Sequence, residues 1–356
     1  MTTPENYQRV RAALHRTHVD AVGIAEMIYW PETVARWHEE GLPAGVTPGA
    51  YFGTDVFGTS ITPDLTLQLE PAVLFEDETY VLRRNGNGVE HKELKGSYAP
   101  PTEMGFLVHD RATWAEHKPL TAAQPSRLPA DFRERYARER SNHCVVTFKN
   151  PEPWWASVKL LGYDRALNLL VEDPELVLDM LSTYTQLVID VYEMLEGAGI
   201  QFDAAWFNGD LCYNRGMLFS PRTYRALLMP FHKRLCGYFK ARRLPVCTHC
   251  CGLVHQLIPL YVEAGFDAFH PLESRVGNDV RELKKQYGTD VIFIGNISAG
   301  ILGSSKAEIE EEIRAKVTAA KQGGGYIFHS DHSIPPSVSL DNYRFALEMA
   351  EKYGRY

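Results

Sequence analysis

The segment His249-Cys250-Cys251 brings together two side-chain types that bind zinc well. Imidazole nitrogen and thiolate sulfur are both common zinc ligands, and residues two positions apart on an extended segment face the same side. His249 and Cys251 are therefore predicted to hold one metal ion, with Cys250 facing the other way. A third ligand must come from elsewhere in the chain, and His332 is the best-placed candidate, followed by Glu273.

Two other interpretations of this segment stay open. Both cysteines can pack as small apolar residues while His249 hydrogen-bonds directly to substrate. Residues 247–250 also match the C-x-x-C pattern of thiol–disulfide exchange. That chemistry normally uses a cysteine at a helix N-terminus, whereas Cys247 lies within an apolar run typical of a strand.

Short apolar runs alternate regularly with amphipathic helices from about Cys144 onward, which is typical of βα units around a parallel sheet. The run DAVGIAEM near the N-terminus can supply the first strand. No glycine-rich dinucleotide fingerprint follows any run. The number of units predicts an α/β fold of the (β/α)8 TIM-barrel class. After the first regular run, helices are predicted over residues 154–170 and 174–197. The predicted strand runs are CVVTF, FDAAWF, PVCTHC, AFHPL, VIFIGNI and GYIFHS.

Polar residues follow these runs at the point where each strand ends. In a barrel of this class the reacting groups project from the loops after the strands. The residues predicted at these junctions are Glu26, Tyr29, Asn208, Asp210, Tyr213, His249, Cys250, Cys251, His270, Glu273, Asn296, Ser298, Ser330, Asp331 and His332.

Several of these side chains have structural alternatives. Asp210 follows an apolar strand and is predicted to be catalytic, although capping of its own loop is an equal alternative. Glu273 can instead pair with Arg275 at the surface. Asn296 is a candidate substrate-binding residue that can also cap the next turn. Tyr29 and Tyr213 are further substrate-binding candidates, and the first of them can equally be a core residue.

Residues 1 to about 140 are less regular than the rest. Helices are predicted at Tyr7–Arg16 and Glu32–Glu40, and two β-rich runs around residues 85–88, Asn-Gly-Asn-Gly, predict a β-hairpin. We interpret this part as an N-terminal elaboration that includes the first barrel strand. Residues 141–356 then supply the regular units, and residues 1–356 form a single domain.

The overall composition favours small-molecule chemistry. The chain has 356 residues, 45% of them hydrophobic, and a formal net charge of −8 without a basic run. These features disfavour nucleic acid or a membrane as partner, and no apolar stretch suits a signal peptide or a membrane span. Six cysteines without disulfide-like spacing fit a reducing compartment, so we expect a cytoplasmic protein.

Four segments together resemble the uroporphyrinogen decarboxylase (URO-D) superfamily over nearly the whole chain. Residues 207–235, FNGDLCYNRGMLFSPRTYRALLMPFHKRL, resemble a stretch in which an acidic residue precedes a Ser-Pro helix start. Residues 248–273 resemble the H-x-C-G segment of that superfamily, and residues 295–302 and 323–354 resemble its last two units. The resemblance implies a TIM barrel with its working site at the C-terminal ends of the strands.

Residues 25–37, AEMIYWPETVARW, depart from the arginine-rich motif with which uroporphyrinogen decarboxylases hold a substrate rich in carboxylates. Bidentate arginines are the usual means of binding such groups, and they are missing here. The chain therefore resembles more closely the branch of zinc-dependent methyltransferases, which move a methyl group between a corrinoid (cobamide) cofactor and a thiol or folate acceptor.

That branch uses a His-x-Cys pair and a late Cys as zinc ligands. His249 and Cys251 match the pair, whereas His332 stands in place of the late Cys. A site with two nitrogens and one sulfur carries less negative charge and activates a thiolate acceptor less strongly. The resemblance also implies that Glu273 is an exchangeable fourth ligand. The residues that would orient the acceptor are Asp210, Tyr213 and Asn296.

Three hypotheses follow. The first is a zinc methyltransferase that uses methylcobamide, either free or on a partner corrinoid protein, together with a small-molecule acceptor. The second is a metal-free decarboxylase-like lyase, in which Asp210 stabilises a cationic intermediate and His332 positions a carboxylate. The third is a corrinoid- or tetrapyrrole-binding protein without catalysis. Metal content separates the first from the others, and turnover separates the second from the third.

Overall fold

The computed structural model describes residues 2–17, 19–58, 60–96, 101–288 and 290–356. Parallel strands from both ends of the chain form its central sheet, with helices between consecutive strands. The strands of the described residues are β1 (Gly23–Ile24), β2 (Ala72–Glu76), β3 (Tyr80–Arg84), β4 (Glu90–Leu94), β5 (Thr102–Gly105), β6 (Thr147–Pro151), β7 (Ala204–Asn208), β8 (Cys212–Tyr213), β9 (Gly216–Met217), β10 (Val246–His249), β11 (Ala268–His270), β12 (Ile292–Ile294) and β13 (Tyr326–Phe328).

The central sheet has the order β1-β13-β12-β11-β10-β7-β6, and its paired strands are parallel. Residues 54–58 and 60–61 approach both of its edge strands. Glu26, just after β1, donates its backbone N–H to the Thr54 carbonyl oxygen at 3.0 Å, and Ile61 forms a parallel bridge with Phe148 of β6. These residues therefore contact both edges of the seven-stranded sheet. The arrangement confirms the predicted α/β fold class of the (β/α)8 type.

Helices connect the strands and cover the outside of the sheet. Many of them begin at a proline, whose missing N–H costs nothing in the first turn. The described helices are α1 (Pro4–His15), α2 (Pro31–Glu39), α3 (Pro48–Phe52), α4 (Arg111–His117), α5 (Phe132–Ser141), α6 (Pro153–Leu161), α7 (Tyr163–Glu172), α8 (Pro174–Gly197), α9 (Pro221–Thr223), α10 (Met229–Ala241), α11 (Leu257–Ala264), α12 (Val280–Tyr287), α13 (Lys306–Ala320) and α14 (Leu340–Gly354). Short 3-10 segments cover Lys118–Thr121, Pro125–Arg127, Ser274–Val276 and Ile301–Gly303, and a π-helical segment covers Tyr224–Leu228.

The predicted helix over residues 154–170 is two helices, because Gly162 separates α6 from α7. Gly162 has a φ of +77°, a conformation that favours glycine, and a Cβ there would lie 2.5 Å from the Phe106 ring. The predicted hairpin is present as the antiparallel pair β3–β4. It belongs to a sheet in the order β2-β3-β4-β5 that the sequence pattern predicted only in its central part.

The barrel interior is closed at the amino ends of the strands. Val10, Ala13 and Leu14 of α1 pack in one cluster with inward-facing residues of the strands. Helix α1 approaches β1 so closely that a Cβ at Gly23 would lie 2.7 Å from the Val10 side chain. Only the opposite end, at the carboxyl ends of the strands, is therefore open for a ligand.

Candidate metal centre

A cavity of about 370 Å3 lies at the carboxyl ends of the barrel strands. This volume falls within the range of small-molecule pockets, near its lower limit. The residues that line it are Glu26, Met27, Ile28, Lys149, Trp155, Trp206, Asn208, Gly209, Asp210, His249, Cys251, His270, Pro271, His329, His332 and Ser333.

A larger concavity, of about 700 Å3, lies on the outer surface beside α4 and α8. Its lining residues include neither histidine nor cysteine. Its charged groups are already paired, since the Lys118 ammonium is 2.6 Å from the Asp179 carboxylate and the Arg111 guanidinium is 2.6 Å from the Asp173 carboxylate. The smaller cavity is therefore the better candidate for a reactive site.

Asp210, His249 and Cys251 form the one group of three potential metal ligands found among the described residues. One ligand atom from each residue lies within 4.8 Å of the other two. The Cys251 sulfur is 3.5 Å from His249 Nε2, and Asp210 Oδ1 is 3.8 Å from the same nitrogen. A carboxylate, an imidazole and a thiol thus converge at the mouth of the barrel.

The backbone fixes this arrangement. His249 is the last residue of β10 and lies in register with Asn208 of β7 and His270 of β11. Beyond the strand, the Cys251 N–H donates to Asp210 Oδ1 at 2.8 Å, which ties the loop after β10 to the loop after β7. The next residue, Gly252, has a φ of +91°, and a Cβ there would lie 2.6 Å from the Tyr213 carbonyl oxygen. Glycine is thus required directly after the Cys251 position.

Burial disfavours the charged forms of the imidazole and the thiol. It lowers the pKa of His249, with the nearby Asp210 carboxylate opposing this effect, and it raises the pKa of Cys251. The neutral imidazole is the form that binds a metal, whereas the thiol must lose its proton. A divalent cation among the three groups would favour the thiolate and the carboxylate by direct charge attraction.

A row of histidines continues from this group across the cavity. His249 Nδ1 is 2.8 Å from His270 Nδ1, and the His270 ring contacts the His329 ring edge to face at 4.6 Å. His329 Nε2 lies 3.2 Å from the Glu26 carboxylate, which also accepts the Ser330 N–H. The sequence patterns predicted Glu26 and His270 at strand ends but missed His329.

Lys149 and Trp206 were also missed as site residues. Lys149 lies in β6 with its ammonium 5.6 Å from the centre of the Trp206 ring, and both residues line the cavity. The alternation of side chains between the two faces of a strand could have predicted that Lys149 faces the barrel interior. Val145 faces the barrel interior, so that Lys149, four positions later, faces the interior as well.

Glu273 lies beside Cys251 on the side away from the histidine row. Its carboxylate is buried and contributes to the raised pKa of the Cys251 thiol, while Arg275 approaches it at 3.4 Å. With Tyr213, these residues line a second concavity of about 490 Å3. Asp210 and Cys251 line both spaces. The structure therefore brings Glu273 next to the three-ligand group and leaves the Tyr213 side chain half exposed at its outer side.

His332 lines the cavity but does not belong to the three-ligand group. Its role as the third metal ligand stays a prediction, and the group that the described structure brings together contains Asp210 instead. The His332 backbone carbonyl accepts a hydrogen bond from the Ser330 hydroxyl at 2.6 Å, and the residue lines the cavity beyond the histidine row.

Tyr29 and Asn296 do not line the cavity. The Tyr29 hydroxyl bonds to Thr54 and Tyr343, and its ring packs among other aromatic rings between barrel and helices. The buried Asn296 amide donates to the Leu272 and Asn278 carbonyls and accepts from the Val280 N–H. Both side chains thus connect structural elements. Tyr29 lies in the core position given as its alternative, whereas Asn296 bonds to backbone groups that precede it in the chain and does not cap the next turn.

The cysteines are free thiols. Cys247 faces the apolar interior, and Cys250 is buried with its sulfur turned away from the three-ligand group. Burial raises the pKa of both thiols far above the ordinary value. Thiol–disulfide exchange needs an accessible thiolate, so these two residues are poorly suited to it.

Comparison with known proteins gives the family. The family model described as uroporphyrinogen decarboxylase (URO-D) matches residues 151–353, which is more than half of the chain. The chain belongs to the uroporphyrinogen decarboxylase family. A uroporphyrinogen decarboxylase of Cellvibrio japonicus is 24% identical over 354 residues, covering 96% of this chain and 94% of that protein. One from Idiomarina loihiensis is 24% identical over 231 residues, covering 61% of each chain.

A methyltransferase from Methanosarcina mazei shares the fold of this URO-D family member, with a TM-score of 0.63 over 99% of both chains and 15% identity. At that identity the likeness concerns the fold alone. It agrees with the predicted barrel class. Among the described residues, no helix is both long and apolar enough to cross a membrane.

Proposed function

We propose that this chain is a zinc-dependent methyltransferase of the URO-D family. It would move a methyl group between a corrinoid, free or carried by a corrinoid protein, and a thiol or folate-type acceptor. The observation that carries the proposal is the convergence of Asp210, His249 and Cys251 within 4.8 Å at the mouth of the barrel.

The donor set fits zinc better than other common metals. Magnesium and calcium take oxygen ligands almost exclusively, whereas zinc accepts nitrogen, sulfur and oxygen together. Three protein ligands would leave one zinc position for an acceptor, as is usual in catalytic zinc sites. Glu273 lies beside Cys251 and can occupy that position until an acceptor replaces it.

Bound zinc supplies Lewis acidity that lowers the pKa of an acceptor thiol and makes it nucleophilic at neutral pH. In such a transfer, a bond between sulfur and methyl would replace the bond between cobalt and methyl, and the corrinoid would keep the electron pair of the broken bond. The proton of the thiol must go elsewhere. His332 lines the cavity and is the imidazole outside the histidine row that can accept it.

The remaining cavity residues hold the site in shape and keep water away. Trp155 and Trp206 supply apolar walls. The Glu26 carboxylate pairs with His329, which in turn packs against His270 and thereby supports the His249 ring. Asp210 holds the backbone of Cys251 in place through its N–H.

A decarboxylase-like lyase is the second candidate, because the relatives from Cellvibrio and Idiomarina carry that name. Asp210 in the cavity would suit it. Two observations weigh against it. None of the described lining residues is an arginine, and about 370 Å3 is a small volume for a macrocycle with many carboxylates.

Elemental analysis of the purified protein tests the proposal. We expect about one zinc per chain after growth in zinc-containing medium, and zinc-dependent methylation of a thiol from methylcobalamin. Chelation should abolish the activity, and zinc should restore it. A protein that stays free of metal after growth and assay in zinc would contradict this proposal. The hypotheses of a metal-free lyase and of a non-catalytic binding protein would then remain.

A further inference from the structure

Lys149 is the only lysine or arginine among the described residues that line the cavity. Its ammonium lies against the Trp206 ring at 5.6 Å. Burial lowers the pKa of Lys149, and no carboxylate in the described part of the chain offsets that effect. Lys149 is partly buried at the cavity wall, and partial removal of an ammonium from water without a counter-ion costs free energy. An anionic group that enters the cavity would therefore be attracted to this position.

The carboxylates of the cavity are engaged elsewhere. Glu26 pairs with His329 and accepts the backbone N–H groups of Met27 and Ser330. Asp210 accepts the Cys251 N–H and faces His249. Neither is available to neutralise the ammonium of Lys149.

His270 presents a second polar atom without a partner. The residue is 9% exposed and lines the cavity, and its Nε2 makes no hydrogen bond within the described structure. The other ring nitrogen, Nδ1, is 2.8 Å from His249 Nδ1. One of these two Nδ1 atoms must donate to the other. When His249 Nδ1 is the donor, the neutral His270 ring carries its proton on Nε2, where it is a buried donor that faces the cavity.

We propose that Lys149 and His270 form an anion subsite, which binds a carboxylate or sulfonate group of the substrate beside the metal ligands. The donor role of His270 Nε2 rests on the proposed function, whereas the role of Lys149 does not. A single ammonium suits a substrate with one anionic group at this end. Trp206, which contacts Lys149, provides the apolar surface for the carbon chain next to that group.

Calorimetric titration of the protein as purified tests this subsite. The probes are propionate, methanesulfonate and the neutral analogue propionamide, all at constant ionic strength. We expect at least one anion to bind the wild type more tightly than propionamide does. Lys149→Met should weaken anion binding by about 10-fold or more, because a charge-assisted hydrogen bond is lost. The stronger of the two anions identifies the group on the substrate.

Matched variants keep the test decisive. Lys149→Arg should retain the preference for the anion, and Lys285→Met, at an exposed position on α12, should behave as wild type. Lys149→Met should change the melting temperature little, because the side chain is only partly buried and forms no ion pair within the described structure. Equal anion affinity in wild type and Lys149→Met, or no preference over propionamide in wild type, overturns the proposal.

Zinc content is measured on the same samples, so that the two proposals fail separately. Lys149-dependent anion binding in a protein that takes up no zinc would keep the subsite and remove the methyltransferase. Zinc at about one per chain without Lys149-dependent anion binding would keep the methyltransferase proposal and remove the anion subsite.

Discussion

The same strands form both ends of the barrel interior, but the inward-facing side chains change from apolar to polar over a distance of two residues along each strand. Near the amino ends, Cys247, Ala268 and Ile327 face inward and pack in an apolar cluster with α1. Two positions later on the same strands, the inward residues are the polar His249 and His270, and β13 is likewise followed by His329. Because side chains alternate along a strand, each histidine lies above an apolar residue of the same face.

This difference teaches how the fold separates stability from chemistry. The lower layer consists of buried apolar side chains, so its packing contributes to the free energy of unfolding. In the described part of the chain, the upper layer contains an ammonium without a counter-ion, the His270 Nε2 atom without a hydrogen-bond partner and three converging ligand atoms. Such groups destabilise a protein unless a ligand or metal satisfies them. Substitutions in the two layers should therefore affect different measurements.

The largest effect is expected from Cys251→Ala in the upper layer. Removal of a direct ligand should lower zinc affinity by more than about 100-fold, because even outer-shell partners of metal ligands contribute 10- to 100-fold. Activity should fall with metal content. Zinc per chain and turnover are measured on the same preparation.

Cys250→Ala is the matched control, because Cys250 is buried and faces away from the ligand group. It should retain zinc and activity. An equal loss of zinc and activity in both variants, or no loss in either variant, would contradict the assignment of Cys251 as a ligand. It would also remove the distinction between the two faces of this segment.

The next effect belongs to the lower layer. Leu14→Ala in α1 removes a buried side chain from the apolar cluster and should reduce the free energy of unfolding by about 2–5 kcal/mol. Zinc content and turnover per folded molecule should not change. Chemical denaturation measures the free energy of unfolding, elemental analysis measures zinc content, and an activity assay measures turnover. Gln8→Ala, at an exposed position of the same helix, should stay within about 0.5 kcal/mol of wild type. A loss of zinc in folded Leu14→Ala protein would show that the layers are coupled.

Asp210→Asn should have an intermediate effect on activity. The Asn oxygen can still accept the Cys251 N–H, so the fold should be kept to within about 1 kcal/mol. A neutral amide oxygen replaces the anionic ligand next to His249, so we expect zinc affinity and turnover to fall together, by about 10- to 100-fold. Full specific activity combined with lower stability would assign Asp210 a purely structural role.

The predictable part of the fold was its repeated pattern. Strands and helices of the regular units follow periodicities of two and about four residues, so their positions could be inferred from residues 144 onward. The break at Gly162 depends on its contact with Phe106, which is far away in sequence, and could not be inferred. The outer strands β2 and β5 were missed for a similar reason, since they are strands through pairing with their neighbours.

The predictable part of the site was the set of residues directly after strands. Asp210, His249 and Cys251 were all predicted at such positions, and parallel strands necessarily bring these together. The alternation of side chains along a strand does not determine the conformation of the loop that follows it. The sequence therefore did not show that the Asn296 side chain is hydrogen-bonded to three backbone groups. Lys149 could have been predicted from the alternation of side chains along β6, but it belongs to no sequence motif that drew attention to it.

The smallest effect on metal binding is expected from His332, and it decides between two ligand sets. The sequence predicted His332 as the third ligand, whereas the geometry brings Asp210 to His249 and Cys251. If Asp210 completes the set, His332→Ala keeps zinc at about one per chain and loses turnover by about 100-fold, as expected for a lost proton acceptor. If His332 is a ligand, His332→Ala loses zinc, while His332→Cys keeps it because thiolate is a strong donor to zinc. We expect the first result. Zinc analysis of the two variants beside Asp210→Asn therefore shows whether the metal lies toward the loop after β7 or toward the loop after β13.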